Sequence, residues 1–209
     1  MPTIAVLDYD MGNLHSACKG LQMAGADPII THNPAVIECA DGIVLPGVGA
    51  FDPAMHKLRS AGLEPVIQRA IAADKPFLGI CLGLQLLFEG SEEGTAKGLG
   101  ILTGQVIRFQ PEPDLSIPHM GWNQLHFTQP HCPLWQDLPP NPWVYFVHSY
   151  YPVPADPAII AGETTHGQQT ITVAIAHKNL MAVQFHPEKS ADHGIKILAN
   201  FVRLLQHSH

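Results

Sequence analysis

"KPFLGICLGLQLLFEG", residues 75–90, sets one cysteine, Cys81, between two glycines just past an apolar run. Pro76 opens the predicted strand "PFLGI", and "GICLG" (79–83) fits the pattern Gly-x-nucleophile-x-Gly between that strand and a predicted helix. In such an elbow the nucleophile sits on a tight, strained turn where side chains on neighbouring residues would collide, hence the glycines. The thiol would stand above the C-terminal edge of the sheet, where open α/β folds bind ligands. A helix N-terminus is worth about 0.3–1 kcal/mol to a negative charge placed there. That is too little to keep a thiol mostly ionised at neutral pH, so the elbow predicts a cationic partner, a histidine. The competing reading is a small core cysteine whose glycines merely permit close helix–sheet packing. This stretch alone leaves both open.

Outward from the elbow, the first half of the chain alternates. "TIAVLDY" (3–9), "DPIITH" (27–32) and "GIVLPG" (42–47) are predicted strands, while "LHSACKGLQMAG" (14–25) and "LEPVIQRAIAAD" (63–74) are predicted helices. That alternation predicts an α/β fold with a mainly parallel central sheet flanked by helices on both faces. After residue 98 the segments become strand-like: "GQVIRF", "GWNQLHF", "WVYFVHSY", "AIIAGETT", "QTITVAIA" and "LMAVQFH". These are expected as antiparallel hairpin strands added to the parallel core. "HGIKILANFVRLLQ" (193–206) reads as a final helix. With 209 residues, no repeat and no low-complexity tract, one domain over 1–209 is expected.

The bulk numbers exclude several function classes. A net charge of −7, from 18 acidic against 11 basic residues, argues against nucleic-acid binding as the main activity. No apolar run reaches the length of a membrane span, and "MPTIAVLDYDMG" lacks the basic start and cleavage site of a signal peptide. A cytoplasmic enzyme or subunit is the expectation. The cysteines form no CxxC pair, and Cys18, Cys39 and Cys132 are expected to be buried filler. Thirteen histidines lower the weight of any single one, and His207 and His209 are expected to be solvated.

The partner for the thiol comes from "AVQFHPEKS" (182–190). "LMAVQF" reads as a strand whose end carries His186, Pro187 and Glu188. Residues i and i+2 of an extended chain point to the same side, so imidazole and carboxylate become neighbours. Glu188 would then fix the tautomer of His186, and His186 would activate Cys81 and protonate the leaving group. A strand-end histidine beside a surface glutamate is the plainer reading; a metal site is disfavoured because no HxH or HExxH motif offers a second ligand. An oxyanion hole needs two N–H donors. The elbow supplies the amide of Leu82, and the glycine-rich "LPGVGAF" (45–51) is a candidate for the second. That loop also reads as an ordinary βα turn or a phosphate cradle, although it lacks the Lys-Ser/Thr ending of a P-loop. Together these parts describe a Cys–His–Glu site for acyl transfer and do not name the acyl donor.

The chain resembles the class I (triad) glutamine amidotransferases and, within them, the glutaminase subunits of imidazole glycerol phosphate synthases. The resemblance runs through "MGNLHS" (11–16), "DGIVLPGVGAF" (41–51), "KPFLGICLGLQLLFE" (75–89), "IPHMGWN" (117–123), "YFVHSYY" (145–151) and "FHPEKS" (185–190). It implies a flavodoxin-like amidotransferase fold and attack of Cys81 on the carboxamide of L-glutamine, with His186 as base and acid and Glu188 as orienter. It further implies that Gln85, His148, Ser149 and Tyr150 line the glutamine pocket, and that Val48 or Gly49 gives the second oxyanion amide after the "PGVG" peptide turns. No cofactor and no metal are implied. The implied partner is a separate cyclase subunit, a (β/α)₈ barrel that takes the ammonia and makes imidazole glycerol phosphate and AICAR in histidine biosynthesis. Asn13, Trp122 and Lys189 lie in motifs that would face it, against core packing for Trp122 and a solvated charge for Lys189. Asp10 stands where the family often has Gly, and His166 where Tyr is common; His166 is assigned no role. Two other readings stay open: a triad amidotransferase of another pathway, such as vitamin B6, folate or nucleotide synthesis, and a non-catalytic relative that keeps the fold.

Overall fold

Strands built from continuous apolar runs need cover on both faces, and that requirement organises the chain. The computed structural model describes residues 1–206, so His207 and His209 lie outside the described residues. The first half runs β1 (Thr3–Leu7), α1 (Leu14–Met23), β2 (Asp27–Thr31), α2 (Pro34–Cys39), β3 (Gly42–Gly47), α3 (Phe51–Ser60), α4 (Leu63–Ala72), β4 (Phe77–Cys81) and α5 (Leu82–Gln85). The second half holds β5 (Gly90–Ser91), β6 (Gly104–Arg108), β7 (His119–Gln124), β8 (His126–Phe127), β9 (Trp143–His148) and β10 (Tyr150–Pro154). It ends with β11 (Ile160–His166), β12 (Gln169–His177), β13 (Leu180–Val183) and α6 (Ala191–Leu205).

The main sheet has eight strands in the order β2-β1-β3-β4-β13-β12-β11-β8. Pairing is parallel from β2 to β13 and antiparallel beyond it. Side chains alternate across it with the period of two that a strand imposes. Ala5, Leu7, Ile43, Leu45 and Phe77 enter a core shared with α2, α3 and α4, while Ile4, Val6, Val44 and Leu78 enter another with α1 and α6. The hairpins β11–β12 and β12–β13 extend the sheet as expected. β8 joins the sheet at its far edge, but the other strands do not: β7 and β9 form a two-stranded ribbon, and β10, β6 and β5 a three-stranded sheet.

Several elements differ from expectation. "GWNQLHF" breaks at Leu125 into β7 and β8, and "WVYFVHSY" at Ser149 into β9 and β10, each half joining a different sheet. Alternation marks a strand without saying which sheet it joins. Two helices were not expected. α2 has six residues and starts from an Asn33 cap that accepts the Ala35 N–H, at 3.0 Å, with Pro34 in its first turn. α3 carries Pro53 in its first turn, where no intrahelical donor is lost. The helix after the elbow, α5, is a single turn.

Register places the site. Gly47 pairs with Cys81, and Ile80 with Val183. The chain therefore leaves β3 at Val48, β4 at Leu82 and β13 at Gln184 along one edge of the sheet.

Candidate active site

Cys81 ends β4 with φ 55° and ψ −110°, a conformation that side-chain-bearing residues rarely hold. Gly83 explains how the turn fits: a Cβ there would land on the Leu45 carbonyl oxygen of β3, and one at Gly79 would sit 3.0 Å from the Gly83 oxygen. Both readings of the glycines are thus partly right. They permit close packing, and that packing holds the cysteine on a strained turn. The one-turn α5 carries less dipole than the full helix predicted, which leaves more of the electrostatic task to a charged side chain.

His186 supplies it. Its Nδ1 lies 2.8 Å from Glu188 Oε1, with side-chain exposures of 3% and 4%. The route differs from the expected one: β13 ends at Val183, and Pro187–Lys189 forms a 3₁₀ turn rather than continuing the strand. The turn folds Glu188 back onto the ring. Burial works against the imidazolium, but the adjacent Cys81 thiol and the Glu188 carboxylate outweigh it and raise His186 to about 9. His186 Nε2 is buried and has no directed hydrogen-bond partner. An imidazolium held there stabilises negative charge on sulfur.

Cys81 and His186 line a cavity of about 310 Å³ together with Val48, Gly49, Leu82 and Gln85. His148, Ser149 and Tyr150 line it as well. Nine of the ten residues expected in the catalytic, oxyanion and substrate sets thus meet in one pocket, and Glu188 stands behind His186. In this conformation the Val48 N–H donates to Met11 O at 3.2 Å. Glu93 lines the pocket as well, its carboxylate accepting the Phe51 N–H at 2.9 Å. Sequence reasoning missed it because "GSEEG" offers neighbouring acids with no period to choose among them. Gln184, fully buried, was missed too; its side-chain N–H reaches Cys81 Sγ at 3.7 Å. Its only signal was one polar residue inside an apolar strand.

The residues expected at a partner surface lie outside the cavity. Asn13 is exposed and caps α1, accepting the Ser16 N–H at 3.3 Å. Trp122 is 49% exposed, which removes the core-packing reading, and Lys189 is exposed at the end of the 3₁₀ turn. Antiparallel pairing sets Met120, Trp122 and Trp143 on the outer face of the β7–β9 ribbon. Asp10 adopts φ 61°, which accounts for the family's glycine; Lys57 Nζ donates to its carbonyl at 3.1 Å. His166 packs on His119 with ring centroids 4.2 Å apart. Of the remaining cysteines only Cys132 is buried; Cys39 is exposed and Cys18 half-buried, because α2 and α1 turn them away from the sheet. Among the described residues no helix is long and apolar enough to cross a membrane.

Comparison with known proteins identifies the family. The model of the family "Glutamine amidotransferase class-I" matches residues 5–205. The chain is 67% identical over 202 residues to imidazole glycerol phosphate synthase subunit HisH of Nostoc punctiforme, covering 97% of this chain and 96% of the relative. It is 66% identical over 206 residues to the subunit of the same name from Acaryochloris marina, covering 99% and 96%. Among solved structures, PurLQS from Thermotoga maritima superposes with a TM-score of 0.77 at 18% identity, covering 98% of this chain and 99% of that one. The acivicin-bound glutaminase domain of Trypanosoma brucei CTPS gives a TM-score of 0.64 at 16% identity, covering 97% and 94%. These two likenesses speak for the fold alone, whereas the sequence matches reach the family: the chain belongs to the class-I glutamine amidotransferases, in the branch of the imidazole glycerol phosphate synthase subunits HisH.

Proposed function

We propose that the chain hydrolyses L-glutamine to glutamate and ammonia through Cys81, His186 and Glu188, and delivers the ammonia to a separate cyclase subunit of imidazole glycerol phosphate synthase. The observation that carries the reading is Cys81 on its strained turn beside a buried His186–Glu188 pair, all at one sheet edge and open to a cavity. Sγ attacks the side-chain carbonyl carbon, and His186 gives a proton to the departing nitrogen, which leaves as ammonia. A water molecule, deprotonated by His186, then attacks the thioester and releases glutamate with the free thiol. Leu82 N–H stabilises the oxyanion. Glu93 offers the carboxylate that a substrate ammonium requires.

The second oxyanion donor is withheld at rest, since Val48 N–H is bonded to Met11 O. Turning that peptide into the cavity costs this hydrogen bond, so activity rises when a partner favours the turned state. Asn13, Trp122 and Lys189, with Met120, are the proposed cyclase-facing residues.

Ammonia release from L-glutamine should be low for the isolated chain and rise strongly with the cyclase barrel and its nucleotide ligand. An electrophilic glutamine analogue should label Cys81 under the activating condition. Absence of labelling there would remove the catalytic thiol, and fast turnover unchanged by the barrel would remove the gating.

A further inference from the structure

A file of side chains leads from the half-buried Asn123 of the β7–β9 ribbon to the buried thiol, and two backbone carbonyls determine its polarity. Tyr150 O can only accept. It lies 2.8 Å from His148 Nδ1 and 3.1 Å from Gln85 Nε2, so both nitrogens donate. Gln85 Nε2 is also 3.1 Å from the next amide, so the atom facing it is Gln184 Oε1, an acceptor. Gln184 Nε2 then turns to Cys81 Sγ, at 3.7 Å, with an N–H.

On the other side, burial and the neighbouring imidazoles lower His148 to about 3, and burial with His166 lowers His119 to about 4; both rings are neutral. A neutral His148 that donates from Nδ1 has a bare Nε2. That nitrogen is 3.1 Å from His119 Nδ1, which must carry the proton. His119 Nε2 is therefore bare and accepts from Asn123 Nδ2 at 3.1 Å. The far end agrees independently. Asn123 Nδ2 also donates to Thr165 O at 2.9 Å, while its Oδ1 accepts the Gln124 N–H at 2.8 Å. No other arrangement of protons satisfies every link.

We propose that Gln184 is a further catalytic residue, its amide N–H directed at the Cys81 sulfur, and that His119 and Asn123 are positioning residues that fix the His148 tautomer donating to Tyr150 O and so hold that carbonyl where it also fixes the Gln85 amide. The proposal rests on Cys81 being the nucleophile. An N–H aimed at the sulfur stabilises the thiolate before attack and the departing thiolate at deacylation. Gln184 Oε1 turned there, once the Tyr150 carbonyl no longer fixes the Gln85 amide, would oppose both steps.

Three measurements on the chain in complex with its cyclase test this. Long-range ¹H–¹⁵N spectra of the wild-type imidazoles should show His119 and His148 both as neutral Nδ1–H tautomers; an Nε2–H tautomer at either overturns the relay. His119→Asn keeps a donor near the Nδ1 position, and His119→Asp puts an acceptor there at the same size. H119D should lose about ten-fold in kcat or more, as expected for a reversed buried hydrogen bond, and H119N should recover most of that loss. Equal kcat for the two variants overturns the positioning role, and if H119D fails to fold the tautomer spectra still decide it. Gln184→Met should slow alkylation of Cys81 by iodoacetamide at fixed pH and lower kcat with little change in KM; alkylation at the wild-type rate overturns the catalytic assignment. Should Cys81→Ser retain full glutaminase activity, the underlying nucleophile reading fails, while the tautomer result stands apart from it.

Discussion

Glu188→Gln replaces one carboxylate oxygen by an amide nitrogen and leaves the shape of the 2.8 Å contact with His186 in place. Both side chains are almost fully shielded, so solvent does not take over the lost charge. A hydrogen bond to a charged group is worth about 1.5–3 kcal/mol. At about 1.4 kcal/mol per factor of ten, kcat in the activated complex should fall about ten- to one-hundred-fold. The amide can also donate to Nδ1, which would select the Nε2–H tautomer and block proton uptake from the thiol. Stability should report the same change. Burial opposes the imidazolium, but the Cys81 thiol and Glu188 raise His186 to about 9, above the 6.5 of the free side chain. A histidine raised in the folded state stabilises the fold fully below its unfolded value and ceases to as pH climbs through the folded one. The window is therefore about pH 6.5 to 9, and its full height is about 3–4 kcal/mol at about 1.4 kcal/mol per pH unit. Urea unfolding at about pH 6 and about pH 10 should show this decline in the wild type and a smaller one in E188Q. A variant with kcat within two-fold of wild type and an unchanged decline would refute the argument that Glu188 holds the imidazolium.

Gly83→Ala drives a methyl group into the Leu45 carbonyl, whose backbone cannot yield without shifting β3; the melting temperature should drop by about 5–10 °C, read by calorimetry. Glu93→Gln removes the pocket carboxylate while keeping an acceptor for Phe51 N–H. It should raise KM for glutamine about ten-fold or more with a small effect on kcat, and equal changes in both would reassign Glu93 to the chemical step. Trp122→Ala removes a half-exposed ring at no cost to the core, so the melting temperature should hold while calorimetric affinity for the cyclase barrel falls by about ten-fold or more.

The parts of the candidate site that were legible are local ones. A cysteine between glycines after a strand, and a histidine two residues before a glutamate, are patterns a few residues long. The contact of His186 with Glu188 was expected for an extended strand and arises in a 3₁₀ turn, because Pro187 starts a turn as readily as it ends a strand. Glu93 was not legible, since nothing within "GSEEG" says which carboxylate turns to the pocket. The state of Val48 was not legible either, because its N–H is held by Met11 from another loop.

By itself, then, the sequence determined the alternation that makes an α/β sheet, the strained cysteine turn and the family motifs, all encoded by period, turn chemistry and adjacency along the chain. Only the tertiary structure decided that β3, β4 and β13 lie side by side and end at one edge. It likewise split two predicted strands between sheets and joined Gln184 to Cys81 across 103 residues of chain. The physical reason is that local conformation follows from sterics and hydrogen bonding among near neighbours. Register and proton direction follow from which distant groups face one another once the apolar surfaces are buried.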